Sequence, residues 1–494
     1  MSRGGSLAPM SLGASLGPPW QDPLPPPVPF RPLEAEAAET LRPPPELVER
    51  VRQAREALVR RATEEAALLG VPLKEALVAG SAARETYLPG RLDLDLFLLF
   101  DPGLPRERLA ESGLALAGRL LANPVRRYAD HPYLRGEFEG FAVDAVPGYR
   151  VDRSDRPITP VDRTPFHQAF LLPRQTPRMK DDVRLFKRFL GSLGVYGAEV
   201  KTEGFSGYLT ELLVLRYGSF GGVLKAAQGW RVPQRLCPPG PEPAAMEDAA
   251  LILPDPVDPH RNVSSALSRR SFAVYLLGAR EYGDRPRREF FHPPASAPPP
   301  LEVLLARLRE RQSSVTVLLL PDPGKVPDVI WPQLRKAERA LRETLERLGF
   351  VVLGTSSTLA SGQVAVLVET DRSTLSPVRI HGGPPVGIRE TPQFLARWSG
   401  ADPSPLKGPY VTDEGRLAVD LRRGPREVLA ILGSVAHELA LGKDLRAALP
   451  PGGAFHPLTE VLGVEAVRAA LVGLLDDRLP WLRWTGPPPG PLSP

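Results

Sequence analysis

Cysteine is almost missing from this sequence: Cys237 is the only one. One thiol can form no internal disulfide and no cysteine-based zinc cluster, and a reducing cytoplasm suits such a chain. Long apolar runs are missing too; none reaches the ~18 residues that would signal a membrane-spanning helix. The opening MSRGGSLAPMSLGASLGPPW has no charged n-region followed by a continuous apolar core, so no secretory signal is expected. His260, His292, His381, His437 and His456 show no metal-ligand spacing. No internal repeat is visible.

What is abundant is proline, 59 of 494 residues, or about 12% against an average near ~5%. Much of it sits at the two ends, which read as unpacked. With 42% apolar and 24% charged residues the rest can bury sizeable cores, and the length allows several domains. A net charge of +5, carried mostly by arginine, permits an anionic partner such as nucleic acid without demanding one.

The texture divides the chain as follows. Residues 1–45 read as a Pro-rich disordered leader and 46–160 as an α/β unit. Within the latter, Leu47, Val51, Ala54, Leu58 and Ala62 recur at helical spacing up to Gly70. A strand, a Gly-Ser turn, the alternating strand LDLDLFLLF and a further strand over 138–146 follow, giving a mixed sheet. Residues 161–291 read as a helical central domain, and 292–300 (HPPASAPPP) as a linker. In 301–480, SVTVLLLP, a helix over 332–348, FVVLG and QVAVLVET give a β-α-β-β order that suggests a ferredoxin-like sheet, with helices from Pro425 and Leu458 onward. A Pro-rich tail, 481–494, closes the chain. The fold class is α+β multidomain.

The sharpest chemical signal is Gly80-Ser81 followed by Asp93-Leu94-Asp95. Alternate residues of a strand share a face, so Asp93 and Asp95 point one way while Leu92, Leu94 and Leu96 pack the other. Paired carboxylates repel unless a cation lies between them, and a hard divalent ion with oxygen ligands is the natural one. For a lone DxD, an exposed acidic strand edge is the ordinary reading. Asp144, in the alternating GFAVDAVPGYRV, adds a third inward carboxylate, enough for two metal ions that clamp attacking and leaving oxygens in phosphoryl transfer. Gly80-Ser81 offers N–H groups and a hydroxyl to phosphate oxygens, and Arg84 adds charge one turn on. The combination points to nucleotidyl transfer.

The order of GSAAR, TYLPGRLDLDLF, VDAVPGYRV, VDRTPFH, VRLFKRFLGSLGVYGAEVKTEGFSGYLTELLVLRYGSF and DPVDPHRNVSSALS resembles the archaeal-type (class I) CCA-adding enzymes, tRNA nucleotidyltransferases of the polymerase-beta-like superfamily. The resemblance spans roughly residues 46 to 440, more weakly at GPPV (383–386) and GPYV (408–411). It implies a polymerase-beta-like nucleotidyltransferase head, a helical central domain and a ferredoxin-like plus helical C-terminal RNA-binding region. It implies that Asp93, Asp95 and Asp144 are the catalytic, metal-binding carboxylates, with Mg²⁺ (two ions) as cofactor and CTP and ATP as substrates. It further implies nucleotide binding by Gly80, Ser81, Arg84, His167, Lys187, Tyr196, Arg261 and Asn262.

Taken singly, several of these have plainer readings. Lys187 shares its helix with Arg178, Lys180, Arg184 and Arg188, the look of a solvated face; His167 can be a hydrogen-bonded structural imidazole; Tyr196 can be a packing residue or turn cap. Phe186, Phe189 and Leu190 fit helix packing, and His131 reads as structural. Two departures from the family stand out: Glu85 where it has Gly, and Arg91-Leu92 in place of an acidic or His-rich lead-in. With the carboxylates intact, Glu85 is expected to face solvent. Arg335, Lys336, Arg339, Arg342 and Arg347 lie opposite the stripe Leu334, Ala337, Leu341, Leu345 and Leu348, a basic helix face that can follow RNA or simply be solvated.

The reading is therefore a cytoplasmic, template-independent enzyme that adds CCA to the tRNA 3′ end and acceptor arm with release of pyrophosphate. The expected partners extend to a second copy of the chain as a homodimer, and no membrane is involved. The rivals are a poly(A) polymerase-like or single-nucleotide-adding enzyme, an inactive RNA-binding homologue, and a minimal nucleotidyltransferase for a small molecule or protein.

Overall fold

The computed structural model describes residues 25–128, 132–237, 248–295, 297–400, 404–450 and 453–484. His131, most of the expected tail and the first 24 residues of the expected leader lie outside these. The chain divides into two compact units, one of residues up to Ser296 together with Arg478 onward, the other Ala297–Asp477.

In the first unit, α1 (Pro32–Leu41) and α2 (Pro45–Leu69) both begin with proline in the first turn, where its missing N–H costs nothing. The spacing of Val51, Ala54, Leu58, Ala62 and Ala66 buries one face of α2, and Gly70 caps it at φ 63°. β1 (Leu73–Ala79), the short α3 (Gly80–Arg84), β2 (Asp93–Phe100), α4 (Arg106–Leu120), β3 (Ala122–Tyr128), β4 (Pro132–Phe138) and β5 (Phe141–Tyr149) follow. The sheet order is β1-β2-β5-β4-β3, with β2 and β5 parallel and the other pairs antiparallel, the mixed sheet expected. The strand expected over 138–146 is in fact a hairpin of β4 and β5. Glu139 and Gly140, at φ 49° and 81°, make its two-residue turn, a turn that needs positive φ at both positions.

Helices α5 (Thr164–Leu171), α6 (Pro177–Ser192), α7 (Gly207–Tyr217) and α8 (Phe220–Ala227) come next. The short strands β6 (Gln234–Arg235), β7 (Leu251–Ile252), β8 (Pro254–Asp255) and β9 (Asp258–Asn262) precede α9 (Arg269–Asp284). Head and central helices share one continuous apolar core, in which Phe186, Phe189 and Leu190 are fully buried as expected.

The described part of the leader expected to be disordered, residues 25–45, packs onto that core. Ala37, Ala38 and Leu41 are buried, Tyr282 Oη donates to the buried Glu34 at 3.1 Å, and Val28 N–H donates to Ser219 Oγ at 3.0 Å. Proline-rich flanks conceal an Ala/Glu-rich helix former, LEAEAAETL, at 33–41.

The second unit comprises α10 (Leu301–Arg311), β10 (Ser314–Pro321), α11 (Pro327–Leu348), β11 (Val352–Ala360), β12 (Gln363–Thr370), β13 (Val378–Pro385), α12 (Thr391–Trp398), β14 (Lys407–Val411), β15 (Arg416–Arg422), α13 (Val428–Val435), α14 (Lys443–Ala447), β16 (Phe455–Pro457), α15 (Leu458–Val461) and α16 (Glu465–Leu475). Its main sheet runs β11-β12-β10-β16, all antiparallel. In order along the chain that is 4-1-3-2 read from the β16 edge, the ferredoxin-like arrangement. Ile330, Leu334, Leu341 and Leu345 of α11 fill one face; Ala466, Val467, Ala470 and Leu471 of α16 fill the other. Leu348, expected on the same stripe, is partly exposed at the helix end. GPPV and GPYV lie at a separate three-stranded sheet, β13-β15-β14.

The chain then returns to the first unit. In α17 (Pro480–Arg483) Trp481 is buried, stacking on Phe290 at 6.4 Å between centroids, while Trp484 meets the same ring edge-on at 5.1 Å. Residues 478–484 thus leave the region assigned to 301–480 and the start of the assigned tail, because Trp481 is buried and Trp484 partly so where Phe290 offers a matching surface.

Candidate active site

Three groups of side chains define the site. The first lies where β1 turns into α3. Gly80 has φ 71°, and a Cβ there would overlap Asp95 Oδ2, so only glycine lets the turn cross this carboxylate. On the parallel β2–β5 pair, Asp95 stands directly opposite Asp144, while Leu94 and Leu96 are buried on the other face. Asp93 is half-exposed at the strand start. Arg135 of β4, opposite Asp144 in register, donates to Asp144 Oδ2 at 2.9 Å and to Asp93 Oδ1 at 2.8 Å.

Burial, then Asp144 and Asp93, push the Asp95 carboxyl up to about 6 against the pull of Arg84 and Lys187. Asp144 is raised by burial as well, with Arg135 opposing. As placed, no three His, Cys, Asp or Glu side chains among the described residues close into a metal-holding group; Arg135 spans the outer pair. The donor set nevertheless suits a divalent cation. Three carboxylates crowd one sheet face, and Asp144 Oδ1 is buried with no hydrogen-bond partner, an acceptor that a hard cation would satisfy.

The second group is a buried ion cluster. Arg84 Nε donates to Glu211 Oε2 at 2.6 Å, Thr86 Oγ1 donates to Glu211 Oε1 at 2.6 Å, and Lys187 Nζ donates to Thr86 O at 3.0 Å and lies 3.4 Å from Glu211 Oε1. Lys187 is 2% exposed, so the solvated-face reading of this helix fails at Lys187; Arg184, at 4%, is buried as well. Burial lowers the Lys187 pKa, with Glu211 opposing. Burial pushes Glu211 upward, yet Arg84, Lys187 and Thr86 together hold it below the usual range. At the first turn of α7, a Cβ on Gly207 would stand 3.4 Å from Tyr196 Oη and 3.9 Å from Lys187 Nζ, so these two groups meet there.

The third group centres on Asp255, whose side chain is fully buried. It accepts from Tyr208 Oη at 3.0 Å, from Arg261 Nη1 at 2.7 Å and from Val257 N–H at 3.0 Å, and lies 2.9 Å from His167 Nε2. The His167 ring stacks on Tyr208 with centroids 4.0 Å apart. Burial lowers the His167 pKa, with Asp255 opposing. The Arg84 charge is felt by Asp95, His167, Tyr196 and Tyr208 alike, so the three groups converge around this one guanidinium.

Most of the expected residues are thereby brought together. Asn262 is the exception. Its amide donates to Leu251 O at 3.0 Å, and its Oδ1 accepts from Leu253 N–H, Ser264 N–H and Ser264 Oγ. Buried, it fastens the β7–β9 turn in this structure. Glu85, at φ 56° where glycine is at ease, turns its carboxylate to Lys180 at 2.6 Å and stays half-exposed.

Sequence reading did not single out Thr86, Arg135, Tyr208, Glu211 or Asp255. Glu211 had a signal: a lone carboxylate in the apolar run of GYLTELLVL implies a buried partner. Asp255 stands in DPVD, a motif quoted for other residues. Arg135 had none, because its role depends on strand register.

Three family models match in succession: a nucleotidyltransferase domain over residues 57–167, the second domain of tRNA nucleotidyltransferase over 181–292, and the CCA-adding enzyme C-terminal domain over 311–452. Among curated relatives, the CCA-adding enzyme of Haloarcula marismortui is 36% identical over 79% of this chain and 87% of its own. That of Methanosarcina acetivorans is 36% identical over 76% and 82% respectively, and that of Methanoregula boonei 39% over 70% and 75%. No helix among the described residues is long and apolar enough to cross a membrane.

Proposed function

Because the chain belongs to the CCA-adding enzymes, we propose that it is a template-independent tRNA nucleotidyltransferase, joining C, C and A to the tRNA 3′ end from CTP and ATP in the cytoplasm. The observation that carries this reading to the atomic level is the register pair Asp95–Asp144 beside the buried Arg84–Glu211–Lys187 cluster.

Asp93, Asp95 and Asp144 are the residues that would hold divalent ions, with Mg²⁺ the expected one. A bound pair of such ions supplies Lewis acidity to the attacking and leaving oxygens. In the reaction the terminal 3′-oxygen forms a bond to the α-phosphorus in line as the bond to the bridging oxygen breaks, and pyrophosphate departs. In this reading Asp144 accepts the 3′-OH proton, a role that its raised pKa supports. Gly80 N–H and Ser81 offer donors to phosphate oxygens. Arg84, Lys187, His167, Tyr196 and Arg261 line the polyphosphate and base side. Glu211 and Asp255 hold those cations and the imidazole in position before substrate arrives.

The test is extension of three tRNA transcripts, ending before CCA, after C and after CC, with each nucleotide plus Mg²⁺. Addition of C to the first two and A to the third, stopping at CCA, is expected. A long A tail would move the enzyme to poly(A) polymerases, and tRNA binding without incorporation would mark an inactive homologue.

A further inference from the structure

Between α1, the loop before β2 and α6 lies a small cleft of about 270 Å³ that none of the roles above uses. Its wall is made by Thr40 from α1, by Leu88, Pro89 and Arg91 from the loop leading into β2, by Arg188 of α6, and by His292. Its charge is one-sided. Arg188 donates through Nε to Phe291 O at 2.5 Å, a neutral acceptor, and burial followed by the Arg91 charge lowers its pKa. His292 lies 3.4 Å from Thr40 Oγ1, and burial, then Arg188 and Arg288, lower its pKa.

The nearby carboxylates are already engaged. Asp181 takes Arg42 at 2.6 Å and Arg184 at 2.5 Å. Glu36, whose charge opposes the lowering at His292, pairs with Arg288 at 3.2 Å, both exposed. Two guanidinium groups and an imidazole thus share a partly buried cleft with no carboxylate lining it. Like charges held this close cost free energy, and an anion between them returns it. Forked guanidinium donors match a phosphate's oxygens in particular.

Position narrows the ligand. Arg91 is two residues before Asp93, Arg188 directly follows Lys187, and the Arg91 charge reaches Tyr196. The cleft is thus tied to the catalytic unit through Arg91, on the loop that leads into Asp93. It also uses Arg91, one of the positions at which this chain departs from its family resemblance.

We propose that Arg91, Arg188 and His292 form a phosphate-binding subsite at the edge of the catalytic centre. It rests on the nucleotidyltransferase reading for the identity of the phosphate, which belongs either to the RNA backbone near its 3′ end or to departing pyrophosphate.

The experiment compares the full chain with Arg91→Gln and Arg188→Gln, with Arg91→Lys as a charge-retaining control and thermal unfolding as the check on folding. Binding of a tRNA transcript is followed against salt concentration without added nucleotide, and binding of labelled inorganic pyrophosphate by equilibrium dialysis. A backbone phosphate predicts a salt slope shallower by about 0.7–0.9 in the Gln variants, with pyrophosphate binding unchanged. A pyrophosphate subsite predicts the reverse, a several-fold loss of pyrophosphate affinity with the RNA slope intact. Arg91→Lys keeps most of either effect. If folded Gln variants bind both probes as the parent does, the subsite does not exist. Neither readout needs CCA addition, so failure of the functional reading would show separately, in the extension assay.

Discussion

At the scale of single residues the site is a balance of charges that only partly cancel. Asp95 carries the clearest consequence. Its folded pKa of about 6 lies above the ordinary 3.8, so in metal-free protein its contribution to stability is complete below about pH 4 and is lost as pH rises through 6. Asp95→Asn is therefore expected to abolish nucleotide addition while raising the melting temperature in EDTA at pH 7.5, by at most about 3 kcal/mol in stability, with the gap closing towards pH 4. A variant that is less stable at pH 7.5 would contradict this. Glu211 works in the opposite sense. Glu211→Gln strands two buried cations and should cost about 3–5 kcal/mol, read from the urea midpoint, with part of it recovered when Arg84→Met and Lys187→Met are added. Gly80→Ala forces a methyl group onto Asp95, and a displacement of even about 1 Å at such a centre should lower kcat about 100-fold or more, with tRNA affinity little altered. These residues differ in how legible they were. The carboxylates and Lys187 could be found from motif and resemblance. Arg135, Tyr208 and Asn262 could not be placed, because register and hydrogen-bond partners are settled only when distant segments meet.

At the scale of elements, periodicity was a good guide wherever one face is buried and a poor one wherever composition misleads. The α2 stripe and the alternation of β2 were readable directly, as was the β-α-β-β order of the second unit. The β4–β5 hairpin escaped notice because Glu-Gly is not among the strong hairpin dipeptides, and α1 because proline surrounds it. That helix has measurable weight. Leu41→Ala should destabilise the protein by roughly 2–4 kcal/mol, and removal of residues 1–44 should cost more, since Ala37, Ala38 and the Glu34–Tyr282 contact go with it. A truncated protein with an unchanged unfolding midpoint would show that α1 is only an ornament. The polar face of α11, with Arg335, Lys336 and Arg339, keeps the basic character read from sequence.

At the scale of the whole molecule, two units with separate cores share one chain. Residues 297–477 contain two apolar clusters of their own around the ferredoxin-like sheet, and as an isolated fragment they should unfold in a single cooperative transition by circular dichroism. The other unit is discontinuous. Its core around Phe290 is completed by Trp481, which also lies against Gly278, with Leu479 and Trp484 packed beside it, whereas its other buried core residues among those described precede Ser296. This has a consequence for birth of the protein on the ribosome. When Phe290 emerges, its stacking partner has yet to be made, and the whole of residues 297–477 must be translated first, which at ~5–20 residues per second occupies on the order of ten seconds or more. The segment that follows the catalytic unit in sequence is thus free to fold before that unit can close, and a nascent chain stalled within it would carry a nucleotidyltransferase head still lacking its final aromatic seal.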